Sequence, residues 1–150
     1  MRFEIEQRFA ELEKLVLAAQ SKGLDELTIS YLCKLGSVQV CGTIERCVEQ
    51  IFTEKIGSMN PRIASFLKAH FRSGRNYDCE GIQQLMFRFD SEWGRTFGEF
   101  VEGNGFVKEG ISSCYAVRNS IAHGGGQTLG PRALKRKHPV TTAWRSIQAA

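Results

Sequence analysis

The sequence predicts an all-α fold, a bundle of four to five main helices with no sheet. Three observations carry that expectation. Apolar residues recur at spacings of three and four along most of the chain, the stripe of a helix with one packed face. No segment alternates apolar and polar residues for long, as a half-buried strand would. Stop and start signals separate the periodic stretches: Ser21-Lys22-Gly23, Asn60-Pro61 and Gly124-Gly125-Gly126. The length, 150 residues, suits a single domain spanning 1–150 with one sizeable core. No internal repeat is visible.

Residues 2–20 form the first predicted helix, with Ile5, Phe9, Leu12, Val16 and Ala19 as its stripe and Glu and Lys on the outer face. The next runs from about Asp25 to Ile56. There Ile29, Cys33, Gly36, Val40, Ile44, Cys47 and Ile51 keep the rhythm for roughly 30 residues, about 45 Å of helix. Glu45 and Glu49 lie one turn apart on it; each is either an ordinary surface carboxylate or a partner for a cation across the bundle. Asn60 as N-cap and Pro61 at the first helical position start a third helix, with Ile63, Phe66, Leu67 and Phe71 expected inward. Asp78 suits the cap of a fourth, with Ile82, Leu85, Met86 and Phe89 inward. From Asp90 to Gly105 four glycines interrupt Trp93, Phe97 and Phe100, and a short helix with loops is expected. Phe106–Ala122 is a clear helix. A loop follows to Pro131, then a broken last helix through Trp144 and Ile147.

Composition narrows the function classes. Hydrophobic residues make up 42% and charged residues 24%, the balance of a globular chain. No run approaches the roughly 18 apolar residues of a membrane span, and Met1-Arg2-Phe3-Glu4-Ile5-Glu6 lacks signal-peptide character. The five cysteines are odd in number and none forms a Cys-x-x-Cys pair, so they read as small core residues in a reducing compartment. A cytoplasmic protein without metal, cofactor or membrane partner is expected. The net charge is +4, and after Glu109 there is no acid at all. That tail carries Arg118, Arg132, Lys135, Arg136, Lys137 and Arg145, which suits either an anionic polymer or simply a solvated basic face.

The most informative stretch is Cys114 to Gly126. Val107, Ile111, Cys114, Arg118 and Ile121 continue the packed stripe, with arginine in its middle. A guanidinium stays charged in proteins, so seating one in an apolar seam calls for a partner. Asn119 and His123 are i and i+4, neighbours on one face. Arg118 and His123, five apart, diverge by about 140° around the helix. They converge only in a cleft that wraps the helix end or across a two-fold axis, which hints at a dimer.

Arg118-Asn119-Ser120-Ile121-Ala122-His123-Gly124, near the end of a small helical chain, resembles the Arg-x4–6-His signature of HEPN domains. The flanking chain is similar to the RiboL-PSP-HEPN branch: Leu32-Cys33-Lys34-Leu35-Gly36, Thr43-Ile44-Glu45, Asn60-Pro61-Arg62-Ile63-Ala64 and the Asn-Tyr-Asp run at 76–78. The resemblance covers roughly residues 25–150, leaving 1–22 as an added N-terminal helix. It implies a metal-independent endoribonuclease, a toxin or phage-defence effector, with both subunits of a homodimer lining one cleft. Arg118, Asn119 and His123 would be catalytic. Tyr115, Arg132, Lys135, Arg136 and Lys137 would bind RNA, although Tyr115 also fits plain core packing. An antitoxin or other companion protein is a further implied partner. Gly124-Gly125-Gly126 reads as a helix stop, not a phosphate loop.

Two other readings stand beside this one. Spacing alone favours a structural network in which Arg118 and His123 fasten the bundle. A non-catalytic RNA-binding or protein-interaction module of the same fold is the alternative function, although such modules usually lose the Arg or the His that both remain here. Neutralising another protein is a third role.

Overall fold

Four of the helices start at side-chain caps that the sequence supplies. A computed structural model describes residues 2–56, 60–71 and 76–132. Among them are six helices: α1 (Arg2–Ala18), α2 (Glu26–Lys55), α3 (Pro61–Phe71), α4 (Cys79–Phe89), α5 (Ser91–Gly103) and α6 (Gly105–Ala122). No strand occurs among the described residues. Asp25 caps α2 by accepting from the Thr28 N–H at 2.9 Å and its hydroxyl at 2.6 Å. Asn60 accepts from the Arg62 N–H at the head of α3 (2.8 Å), and Asp78 from the Gly81 N–H at the head of α4 (2.8 Å). Asp90 takes the N–H groups of Glu92 and Trp93. Each carboxylate or amide satisfies donors that a helix start leaves open.

The long helix α2 is the central strut, with α1, α3 and α6 packed on it; α4 and α5 form a hairpin that leans on α6. The 30 residues of α2 span about 45 Å. Its C-terminal half enters the main core through Val40, Cys41, Ile44, Cys47, Val48 and Phe52, against Ile5, Phe9 and Leu12 of α1 and Val107, Ile111 and Cys114 of α6. Its N-terminal half joins only a small cluster of Val16, Ala19 and Cys33. The five-residue stripe expected of α1 is buried throughout. All five cysteines are buried free thiols. Burial lifts the thiol of Cys41 to about 12 and those of Cys47 and Cys79 to about 11.

The helix count exceeds four to five because the stretch after Asp90 is a full helix of 13 residues. Two of its glycines, Gly94 and Gly98, are contact surface, not breaks. A Cβ on Gly94 would run into the Phe87 ring, and one on Gly98 into the Gln83 side chain. The Gln83 amide also donates to the Gly94 carbonyl at 3.2 Å. Glycines four apart thus open a groove in which α4 and α5 approach closely. On α3 the expected inward face is narrower than its stripe: Leu67 is buried, but Ile63 and Phe66 are exposed. The helix lies on the surface of α2 and shows the core one edge. Phe89 is likewise partly exposed, although its ring packs 5.0 Å from that of Phe52. Of the last helix expected from Pro131, Pro131 and Arg132 are helical and the rest lies outside the described residues.

Candidate functional site

Helix α6 delivers the site because its stripe changes character along its length. Val107, Ile111 and Cys114 face the core, and Tyr115 and Val117 are also buried. One turn later Arg118 is half-buried at the rim, with 31% of its side chain exposed. Ile121, the last member of the expected stripe, is exposed. The helix then stops: the His123 N–H bonds to the Asn119 carbonyl at 3.1 Å, Gly124 takes φ +74, and the Gly125 N–H bonds to the Ser120 carbonyl at 2.6 Å. Positive φ is a conformation glycine adopts at little steric cost, so the glycine run ends the helix where expected.

Arg118 meets three partners. Its Nη1 donates to Asn76 Oδ1 at 2.5 Å and to Asn119 Oδ1 at 3.3 Å. Its Nη2 lies 3.6 Å from Glu45 Oε1 on α2. Glu45 is therefore the carboxylate that answers the half-buried Arg118, whereas Glu49 pairs with Arg46 on its own helix at 2.6 Å. The Tyr115 hydroxyl accepts from the Tyr77 N–H at 3.2 Å and donates to Glu45 Oε1 at 3.5 Å. So α2, the Asn76–Tyr77 segment and α6 are tied together through one guanidinium and one phenol.

Electrostatics within this group are set by burial. Desolvation raises the Glu45 carboxyl above its ordinary value, partly offset by Arg118, the Tyr115 hydrogen bond and Arg46. Burial, then the charges of Glu45 and Cys41, push the Tyr115 phenol well up, so it remains a neutral donor. Arg118 keeps 31% of its side chain exposed, and a guanidinium offers an anion a flat fork of donors.

The structure links Arg118 to Asn119 directly and to Tyr115 through Glu45. His123 is exposed at the end of α6, and among the described residues no hydrogen bond or ion pair joins it to Arg118. Arg132 is exposed at the edge of the loop after α6. That loop returns to the α1–α2 junction, where the Gln20 side chain donates to the Pro131 carbonyl and Thr128 to the Ser30 carbonyl, each at 3.5 Å. Lys135, Arg136 and Lys137 lie outside the described residues. Asn76 is the member that sequence reading gave no role; the Asn-Tyr-Asp run was its signal. Among the described residues no group of three or more His, Cys, Asp or Glu is placed to hold a metal ion. No described helix is long and apolar enough to cross a membrane.

The chain is thus an all-helical bundle with a half-buried arginine, an amide beside it and a histidine at the end of the same helix. The RiboL-PSP-HEPN family model matches residues 4–141, and the chain belongs to that family. The match begins within α1, further back than the motifs around residue 25. No curated protein and no solved structure matches the chain.

Proposed function

We propose that this chain is a metal-independent endoribonuclease, acting as a homodimer in a toxin or phage-defence setting. Family membership is compatible with RNA cleavage or RNA binding. The observation that carries the finer reading is the partly exposed Arg118 side chain, held by Glu45 and Asn76. In RNA cleavage the ribose 2′-hydroxyl attacks the adjacent phosphorus and the 5′-oxygen leaves, giving a 2′,3′-cyclic phosphate. Negative charge grows on the phosphoryl oxygens, and a prepositioned guanidinium stabilises that growth. Asn119 orients the phosphate. His123 accepts the 2′-hydroxyl proton, and a second imidazole protonates the leaving oxygen. Among the described residues no hydrogen bond or ion pair joins His123 to Arg118, and in the proposed dimer a second copy supplies another His123 to the cleft.

The test is cleavage of single-stranded RNA in the presence of a chelator, with cyclic phosphate ends identified on the products. His123→Ala should abolish cleavage while leaving the helical spectrum unchanged. Undiminished cleavage by that variant would remove the proposal. One observation favours a second reading, an RNA-binding module without turnover: within a chain, the cation of Arg118 is already answered by Glu45. Salt-sensitive RNA binding with no cleavage in any assembly state would support it.

A further inference from the structure

Helix α3 presents a surface that the site above does not use. Arg62, Phe66 and His70 are spaced four apart and form one ridge on its outer side. Phe66 is 66% exposed, and its ring stacks on His70 with centroids 6.2 Å apart and planes at 24°. Leu67, the buried residue of the helix, lies about 100° around it from Phe66. Exposed single hydrophobics are common, so Phe66 alone would mean little. Its surroundings are the second observation. Between Glu54 and Asp78 the sequence holds no acid but five cations: Lys55, Arg62, Lys68, Arg72 and Arg75. Arg62 and Lys68 are exposed, and among the described residues no carboxylate pairs with either. In a chain of net charge +4, this stretch alone carries +5.

The C-terminal end of α3 reaches the candidate site. The Phe71 ring lies 5.6 Å from that of Tyr77. The Tyr77 N–H bonds to the Tyr115 hydroxyl, and the neighbouring Asn76 holds Arg118. Phe66 sits five residues back from Phe71, about 7.5 Å along the helix axis.

We propose that the Arg62–Phe66–His70 ridge of α3 is a stacking subsite for single-stranded RNA, holding a base near the phosphate gripped at Arg118. This rests on the ribonuclease reading and adds where the strand runs. An unpaired base offers a π face that can cover Phe66, and its backbone offers phosphates to Arg62 and Lys68. A duplex hides its base faces within the stack and gains nothing from the ring. A second copy of this chain fits poorly. A two-fold contact would set two acid-free, cationic stretches against each other.

The test uses the full chain in a His123→Ala background, so that binding is read without cleavage. A short fluorescein-labelled single-stranded RNA of mixed sequence is titrated by anisotropy. Phe66→Ala should weaken binding roughly 5- to 100-fold, the range for losing one stacked base, and Phe66→Trp should restore it. Arg62→Gln should weaken binding less and lower the slope of log affinity against log salt by about one. Duplex RNA should bind equally well to the parent and to Phe66→Ala. Unchanged single-strand affinity in Phe66→Ala would overturn the proposal, as would a parent that binds no single-stranded RNA. A shift from dimer to monomer on ultracentrifugation at unchanged affinity would also overturn it, marking a protein contact instead. If Phe66→Ala lowers affinity but the native chain cleaves nothing, the subsite stands and the ribonuclease reading falls. If cleavage depends on His123 but affinity ignores Phe66, only the subsite falls.

Discussion

The two halves of α6 follow different rules, although one stripe runs through both. In the first three turns Val107, Ile111 and Cys114 pack in the main core, and their worth is apolar area removed from water. In the last two turns the same stripe carries Arg118 and an exposed Ile121, and what holds the helix is a set of directed polar contacts. The first half fixes where the helix lies. The second half is stabilised less than it is positioned, the expected pattern where a fold gives up packing to present chemistry.

Substitutions separate the halves. The largest effect is expected from His123→Ala, which should lower RNA cleavage by about 10²–10⁴-fold with no change in the thermal midpoint; a loss of stability instead would make His123 part of the scaffold. Ile111→Ala should do the reverse, costing about 2–5 kcal/mol in urea unfolding while cleavage per folded molecule is kept. Tyr115→Phe falls on the border. It leaves the buried Tyr77 N–H without its acceptor, so a loss of about 1–3 kcal/mol is expected, with weakened cleavage as Glu45 loses a donor. Gly124→Ala should cost about 1 kcal/mol from positive φ alone, since an added Cβ meets nothing within 4 Å.

The smallest effect is a pH dependence at Glu45. Its carboxyl is raised in the folded chain by burial. As pH rises, the unfolded chain therefore loses this proton first. Stability falls from the ordinary glutamate value upward, through the raised one. Below that window the cost of ionisation is absent; above it the cost is fully present. Glu45→Gln never ionises, so its urea midpoint relative to the parent should improve as pH climbs through the window. The opposite trend would mean that the attraction of Arg118 outweighs burial.

Much of the scaffold was legible because periodicity records burial. The stripes of α1 and of the C-terminal half of α2 are where spacing placed them, and the expected caps Asn60 and Asp78 act as such. Helix α5 was not legible, since Gly94 and Gly98 look like breakers until Phe87 and Gln83 are seen against them. On α3 the stripe overstated burial, because a helix at the rim buries one edge of an apolar face. The site was half legible. Helical spacing puts Asn119 beside Arg118, but the contacts that hold the guanidinium come from far along the chain. Asn76 is 42 positions away, and the choice of Glu45 over Glu49 depends on how α2 is rotated. The apolar stripe sets the face that α2 turns inward, but Glu45 and Glu49 lie only about 40° apart on the helix, too close for the stripe to choose between them.

The five sealed thiols make the molecule its own gauge of opening. Each is buried and unbridged, and for Cys41, Cys47 and Cys79 the reactive thiolate is further suppressed by the shift upward to about 12, 11 and 11. A thiol-reactive dye added to the native chain should therefore wait on fluctuations of the bundle, and its labelling rate at each position would map which helices part first.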